Sequence, residues 1–276
     1  MTSPTIKLAN PIVETYSRLA EHYDDELNLH SCWGRATDKA LGSIHIKEDY
    51  RLVLDVGCGT GRALARLARR ASSDVQFIGI DPAENMRNLA LGRVQPFGNV
   101  QILNGAFERI PLETSSVDYL FSIFAFHWTT DPEAAVREVQ RVLKPGAEMD
   151  LFFIGRDNGR EFIQKTTPIF LKYMGPALLL ESARMRKQFT KEAAHHLFSK
   201  AFSTPELSVA ESYQTYYDTL EGHWGWWVRI EGHFMRISSA RKEQCDREVK
   251  NALQGLAGPA GIPYTIHQLH VRLRRA

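Results

Sequence analysis

Hydrophobic positions in the first half of the chain fall into short, nearly unbroken blocks. Val53-Leu54-Asp55-Val56, Val75-Gln76-Phe77-Ile78-Gly79-Ile80-Asp81 and Val117-Asp118-Tyr119-Leu120-Phe121-Ser122 read as buried strands. Between them, Ala63-Leu64-Ala65-Arg66-Leu67-Ala68 and Ala83-Glu84-Asn85-Met86-Arg87-Asn88-Leu89-Ala90 have a helical pattern. This alternation over residues 35–156 predicts a parallel sheet with helices on both faces. It stops after Phe152-Phe153-Ile154, and residues 157–205 read as helical, with bulky apolar groups such as Ile169-Phe170-Leu171. Leu207-Ser208-Val209-Ala210 and the alternating Tyr213-Gln214-Thr215-Tyr216 predict a further strand. A helix from about Ser239 to Leu256 and a strand from Tyr264 to Leu273 close the sheet, joined by the breaker-rich Gly255–Pro263.

The first strand runs into Gly57-Cys58-Gly59-Thr60-Gly61-Arg62. A strand, a tight glycine turn and a helix N-terminus are where α/β proteins hold nucleotide-like ligands. The spacing is G-x-G-x-G, and Arg62 stands where a dinucleotide fingerprint has its third glycine. Asp55 would repel a pyrophosphate but attract an ammonium group, which points to S-adenosylmethionine. Asp81, roughly 20 residues past the turn, is placed to accept both ribose hydroxyls, although a strand-end aspartate followed by Pro82 also suits an ordinary turn. Met86 can lie under a purine ring.

At this point the chain resembles the class I S-adenosylmethionine-dependent methyltransferases, in particular their broad small-molecule subgroup, the type 11 methyltransferases. The likeness continues through Gly105-Ala106-Phe107-Glu108-Arg109-Ile110-Pro111-Leu112, the strand at Val117–Ser122, and Arg141-Val142-Leu143-Lys144-Pro145-Gly146, covering about residues 45–156. It implies an α/β fold: a Rossmann-like, doubly wound, mostly parallel seven-stranded sheet that ends in an antiparallel strand and carries a helical cap insertion. The organisation expected is an N-terminal helical cap over the cofactor (1–34), a cofactor-binding core (35–156), a helical and aromatic substrate cap (157–238) and a helix and strand completing the core (239–276). The resemblance assigns Asp55, Gly57, Gly59 and Gly61 to the methionine end of the cofactor, Asp81 to the ribose, and Ala106 and Phe107 to the adenine; Pro82, Met86 and Ser122 are further expected cofactor-binding residues. Ala106 stands where the family commonly has an acid, and Ala147 where a second glycine is usual.

Length and composition fit one enzyme domain with an elaboration. The chain has 276 residues, 43% hydrophobic and 24% charged, with a formal net charge of +2. That charge is too small to argue for nucleic acid or an acidic membrane as partner. The three cysteines, Cys32, Cys58 and Cys245, have no paired spacing, which fits a reducing compartment and offers no cysteine-based metal motif. With no apolar run long enough for a membrane span and no signal-peptide core, the expectation is a cytoplasmic, metal-independent monomer or homodimer acting on a small molecule.

Two regions can reach the transferred methyl. One is Ser122-Ile123-Phe124-Ala125-Phe126-His127-Trp128, after the fourth strand. The other is the aromatic run Glu221-Gly222-His223-Trp224-Gly225-Trp226-Trp227, with His233 beyond it. Phe126, Trp128, Trp224 and Trp227, together with Tyr23 from the N-terminal helix, are the expected substrate walls; core packing is the plain alternative for each tryptophan. His127 is the first candidate for a general base and His223 a weaker one, because imidazole titrates near working pH. His127 also fits a role as a positioning residue for Trp128. The expected reaction is O- or N-methylation of a small, apolar or aromatic natural product. The alternative is methylation of a carboxyl group on a small acid or acyl thioester, held by cations such as Arg156, Arg160 or Arg229.

Overall fold

The computed structural model describes residues 10–230 and 237–276, apart from the side chains of 228–230. Helices α1 (Pro11–Tyr23), α2 (Glu26–Leu29) and α3 (Cys32–Gly42) lead into β1 (Leu52–Val56), α4 (Arg62–Ala68), β2 (Gln76–Asp81), α5 (Glu84–Val94) and β3 (Val100–Asn104). Then come β4 (Val117–Ile123), a single 3-10 turn at Phe126–Trp128, α6 (Pro132–Val142) and β5 (Leu143–Ile154). The later elements are α7 (Arg160–Arg184), α8 (Lys191–Ala201), β6 (Ser208–Asp218), α9 (Leu220–Ile230), α10 (Ser239–Gln254) and β7 (Ile262–Arg274). The expected helix and strand near the end of the sequence are α10 and β7.

The strands form one seven-stranded sheet in the order β3-β2-β1-β4-β5-β7-β6. The pairs from β3 to β5 are parallel, and β7 runs antiparallel to both β5 and β6. The order reverses between β1 and β4, and the crevice beyond their carboxyl ends is where such sheets hold ligands. The segment 157–238 contributes β6 to the sheet as well as helices, and α3 runs across residue 34.

Both sheet faces are covered, which is why β1 and β4 read as continuous apolar runs. One side buries Leu54, Leu120, Val139, Leu151 and Phe198, and the other Val53, Phe77, Leu64 and Phe121. A third cluster joins Phe162, Phe170, Trp226, Trp227, Val249 and Tyr264, so α7, α9 and α10 form their own core against β7. A small fourth cluster, Ala20 with Ala83 and Met86, seats α1 on the start of α5. Asn10 caps α1, accepting from the Ile12 N–H at 3.1 Å, and its Nδ2 donates to the Trp128 carbonyl at 2.9 Å. Helix α7 runs through Pro168 and Pro176 by breaking at Gly175, whose φ of 76° is left-handed.

Candidate active site

The turn after β1 holds three glycines in left-handed backbone, with φ of 78° at Gly57, 53° at Gly59 and 73° at Gly61. At Gly57 a Cβ would lie 2.3 Å from the Ala125 Cβ, so the loop after β4 can pass this close only over a glycine. Gly61 caps α4 and lines none of the clefts; its near neighbours are Ala90 and Val94. The turn is tied to β2, because the N–H groups of Gly57 and Cys58 donate to the Ile80 carbonyl at 2.8 and 3.0 Å. The Asp81 carboxylate accepts from the Gly59 N–H at 2.9 Å and from the Ala83 N–H at 2.8 Å. A carboxylate has about four acceptor positions, so room remains for two ligand hydroxyls.

Two acids face this loop in low dielectric. Asp55 is 2% exposed; burial, then the nearby charge of Asp81, pushes its carboxyl well above the usual range. Burial raises Asp81 too, opposed by its backbone donors and by Arg87. A cationic ligand group beside them would lower the cost of keeping Asp55 ionised. Because its folded pKa is raised, the Asp55 contribution to stability is full at low pH and is lost as pH rises through the folded value. Asp55→Asn, which holds no charge, should therefore melt about 2–4 °C higher than the ligand-free parent at neutral pH. It should bind S-adenosylhomocysteine on the order of 10-fold more weakly, since one charge-assisted contact is lost. Calorimetry with a melting scan reads both, and a variant no more stable and no weaker in binding would leave Asp55 without this role.

Three adjoining cavities that share lining residues surround the loop. The largest, about 750 Å³, is lined by Tyr16, Tyr23, Gly57, Gly59, Asp81, Pro82, Met86, Ala106, Phe107, Glu108, Phe124, Trp128 and Thr129, with α1 as its roof. A second, about 660 Å³, is lined by Asp55, Gly57, Cys58, Gly59, Thr60 and Arg62, and by Asn28, Trp33 and Thr37 from α2 and α3. A third, about 470 Å³, touches both: Tyr16, Tyr23, Phe124 and Trp128 belong to the first, and Asn28, Trp33 and Thr37 to the second. Its own walls are His127, Ile154 and Arg186. Phe124 stands at the junction of all three with φ of 56°, a left-handed strain of order 1–3 kcal/mol for a residue with a Cβ.

Sequence reasoning grouped residues that the structure separates. Phe126 is wholly buried and packs on Phe107, Phe153, Phe189 and Phe198 at ring distances of 5.1–5.6 Å. It is core, not a substrate wall. Ser122 is buried as well, donating to the Val56 carbonyl at 2.6 Å, which ties β4 to β1 away from the clefts. His223 shares a wall-less site with Phe162, Trp226 and Tyr264, and its Nε2 is 2.8 Å from the Ile262 carbonyl. Burial leads its pKa downward. Trp224 packs on Trp227 in a tilted contact at 5.4 Å and its ring lies 4.6 Å from the Lys250 ammonium, outside the three cavities. Tyr23, Trp128, Pro82, Met86, Ala106 and Phe107 do line the main cleft, and Trp227 lines an outer apolar chamber described below.

His127 is 2% exposed and its Nδ1 has no partner. Burial, then the Arg186 charge, holds its imidazole well below 6.5. Arg186 arrives from the α7–α8 connection, which is pinned by the Lys187 N–H donating to the His127 carbonyl at 2.9 Å and the Arg156 N–H donating to Phe189 at 2.7 Å. The sequence flagged neither Arg186 nor Thr129, whose buried Oγ1 is without a partner on the cleft wall. Arg156 and Arg160 are exposed, and the Arg229 side chain and His233 lie outside the described residues. Burial, then Asp24 and Asp81, pushes the Tyr23 hydroxyl up to about 12, so it stays a donor.

A sheet of this order with a glycine turn after β1 and an acid ending β2 defines the class I methyltransferase fold. Residues 54–149 match the methyltransferase domain family, and the chain carries that domain. An uncharacterized methyltransferase of Mycobacterium bovis is 30% identical over 159 residues, 58% of this chain and 62% of the relative. The demethylmenaquinone methyltransferase of Staphylococcus aureus is 28% identical over 160 residues, 56% of this chain and 61% of its own length. The chain thus spans just under two thirds of these relatives. The solved structure of an S-adenosylmethionine-dependent methyltransferase of Thermotoga maritima, described as a possible histamine N-methyltransferase, superposes with a TM-score of 0.56 at 20% identity, covering 96% of this chain and all of the other.

The cavities fit S-adenosylmethionine. Asp81 would accept the ribose hydroxyls, and Met86, Ala106 and Phe107 would flank the adenine in the main cleft. Asp55 would face the methionine ammonium in the second cavity. Among the described residues, no helix is long and apolar enough to cross a membrane.

Proposed function

We propose that this chain transfers a methyl group from S-adenosylmethionine to an oxygen or nitrogen of a small, largely apolar metabolite. The observation that carries the reading is the third cavity. It borders the adenosine-side and methionine-side cavities together, and the sulfur of the cofactor joins those two halves. When bound, the cofactor supplies a methyl carried on a positive sulfur that leaves as a neutral thioether. The chain's own work is to exclude water, to align the acceptor about 3 Å from the methyl and to take its proton. Trp33, Phe124, Trp128 and Ile154 give the cavity apolar walls, and the His127 imidazole lines it. In the reaction, a lone pair on the acceptor oxygen or nitrogen would form the new bond to carbon, the S–CH3 pair would go to sulfur, and the acceptor's proton would go to His127, leaving its bonding pair on the acceptor atom. The Staphylococcus aureus relative, which acts on demethylmenaquinone, supports an apolar small molecule as acceptor.

The second reading is a carboxyl acceptor, methylated to an ester. It is favoured by Arg186 in the wall, since a guanidinium can hold a carboxylate.

His127→Ala should lower kcat by about 10²–10⁴ with cofactor affinity unchanged if the acceptor must lose a proton. The parent's rate should be level from pH 6.5 upward, because His127 is already neutral there, and should fall only well below its ordinary value of 6.5. Stability follows the same sign. With the folded pKa depressed, the unfolded chain binds the proton first, so stability present above 6.5 is lost on acidification. Single-turnover methyl transfer across pH tests this, and a mutant as fast as the parent would remove His127 from the chemistry.

A further inference from the structure

A fourth cavity, about 780 Å³, opens beneath α7 and shares Trp128 and Arg186 with the third. Its walls are Phe162, Ile163, Phe170, Leu179, Met185 and Trp227. Two of these rings, Phe170 and Trp227, stack at 5.7 Å, giving a flat apolar wall. The buried hydroxyl here, Thr166, is satisfied inside its own helix, donating to the Phe162 carbonyl at 2.8 Å. The inner cavity differs in kind. Trp33 Nε1, Asn28 Oδ1 and His127 Nδ1 are buried there without partners. The indole N–H can only donate. The Asn28 oxygen can only accept, since its Nδ2 is committed to the Tyr23 carbonyl at 2.6 Å. Trp33 and Asn28 stand on the wall shared with the methionine-side cavity, while His127 belongs to the inner cavity and not to that one.

Resting on the methyltransferase reading above, we propose that the acceptor is an amphiphile, with a hydroxyl-bearing head in the inner cavity and an apolar body in the chamber beneath α7. A hydroxyl both donates and accepts, which matches the acceptor-only oxygen of Asn28 and the donor-only indole of Trp33, two residues that line one cavity. Its proton can pass to the unpartnered imidazole. A carboxylate head would meet the Trp33 N–H but place its charge against the Asn28 oxygen. The tail follows from adjacency: a head seated beside His127 has Trp128 and Arg186 next to it, and the same two side chains line the apolar chamber.

The test uses the full chain saturated with S-adenosylhomocysteine, and three probes by titration calorimetry: phenol, 4-octylphenol and 4-octylbenzoate. The octylphenol should bind roughly 100-fold more tightly than phenol, because its chain leaves water. It should also bind about 10-fold more tightly than the benzoate. Ala183→Trp and Thr167→Trp, both at exposed positions on the wall of the outer chamber, fill it from either side of the Gly175 break in α7. At least one should bring octylphenol to the affinity of phenol, leaving phenol and S-adenosylhomocysteine unchanged. Equal binding of phenol and octylphenol, a tail advantage that survives both variants, or tighter binding of the benzoate would overturn the proposal. Failure of the parent to bind S-adenosylhomocysteine, measured first, would instead overturn the methyltransferase reading.

Discussion

Asp81→Ala is expected to lose S-adenosylhomocysteine binding on the order of 100-fold, more than one ribose contact would account for. Its carboxylate does two jobs at once. It holds the Gly59 N–H of the turn and the Ala83 N–H that starts α5, and it keeps acceptor capacity facing the cleft. Removing it leaves two backbone donors without their acceptor and frees the turn that shapes both ends of the site. Asp81→Asn separates the two roles. Its amide oxygen can keep one backbone donor, so the asparagine should recover much of the melting temperature and little of the affinity. Titration calorimetry beside thermal melting reads this, and an alanine variant that binds within a factor of two of the parent would contradict the assignment.

Phe126→Ala should behave as a core variant, costing about 3–5 kcal/mol and lowering Tm by roughly 10 °C. The ring has no exposure and meets four other phenylalanines from the loop after β3, from β5, and from the segment around α8. Deleting it opens a cavity in the largest hydrophobic cluster. Phe126→Leu, which keeps most of the volume, should recover most of the stability. A KM effect with unchanged stability would mean that the ring faces substrate after all.

These two residues mark what a sequence can and cannot disclose here. Asp55, the glycine turn and Asp81 were legible because a strand, its turn and the next helix are local, and the chemistry of each residue follows from its place along one βα unit. Sheet class and the closing antiparallel strand followed from alternation and resemblance, whereas the strand order is read from the structure alone. Residues after β4 were not separable by pattern. Phe124 takes a left-handed conformation, and the turn that follows buries Phe126 while aiming His127 at a cavity. No periodicity reports such a turn. Arg186 was invisible for a different reason: it enters the site through a connection some sixty residues away, held by backbone hydrogen bonds to His127 and from Arg156 and by the packing of Phe189. His223 misled because a histidine among tryptophans looks chemical until its Nε2 is found against a backbone carbonyl in the core.

The placement of β7 between β5 and β6 governs the order in which the molecule can be assembled. During synthesis β6 emerges more than forty residues before β7, yet β7 is its sheet neighbour, so its ladder stays open until residues 262–274 exist. The helices α7, α9 and α10 meet their shared core against the same late strand. The half that holds the glycine turn can pair its strands early, whereas the half that shapes the outer chamber must wait. Long-range pairing of this kind is slow and leaves an adhesive edge exposed. A pulse of hydrogen exchange during refolding should therefore find β1, β2 and β4 protected well before β6, with β6 and β7 gaining protection in the same phase.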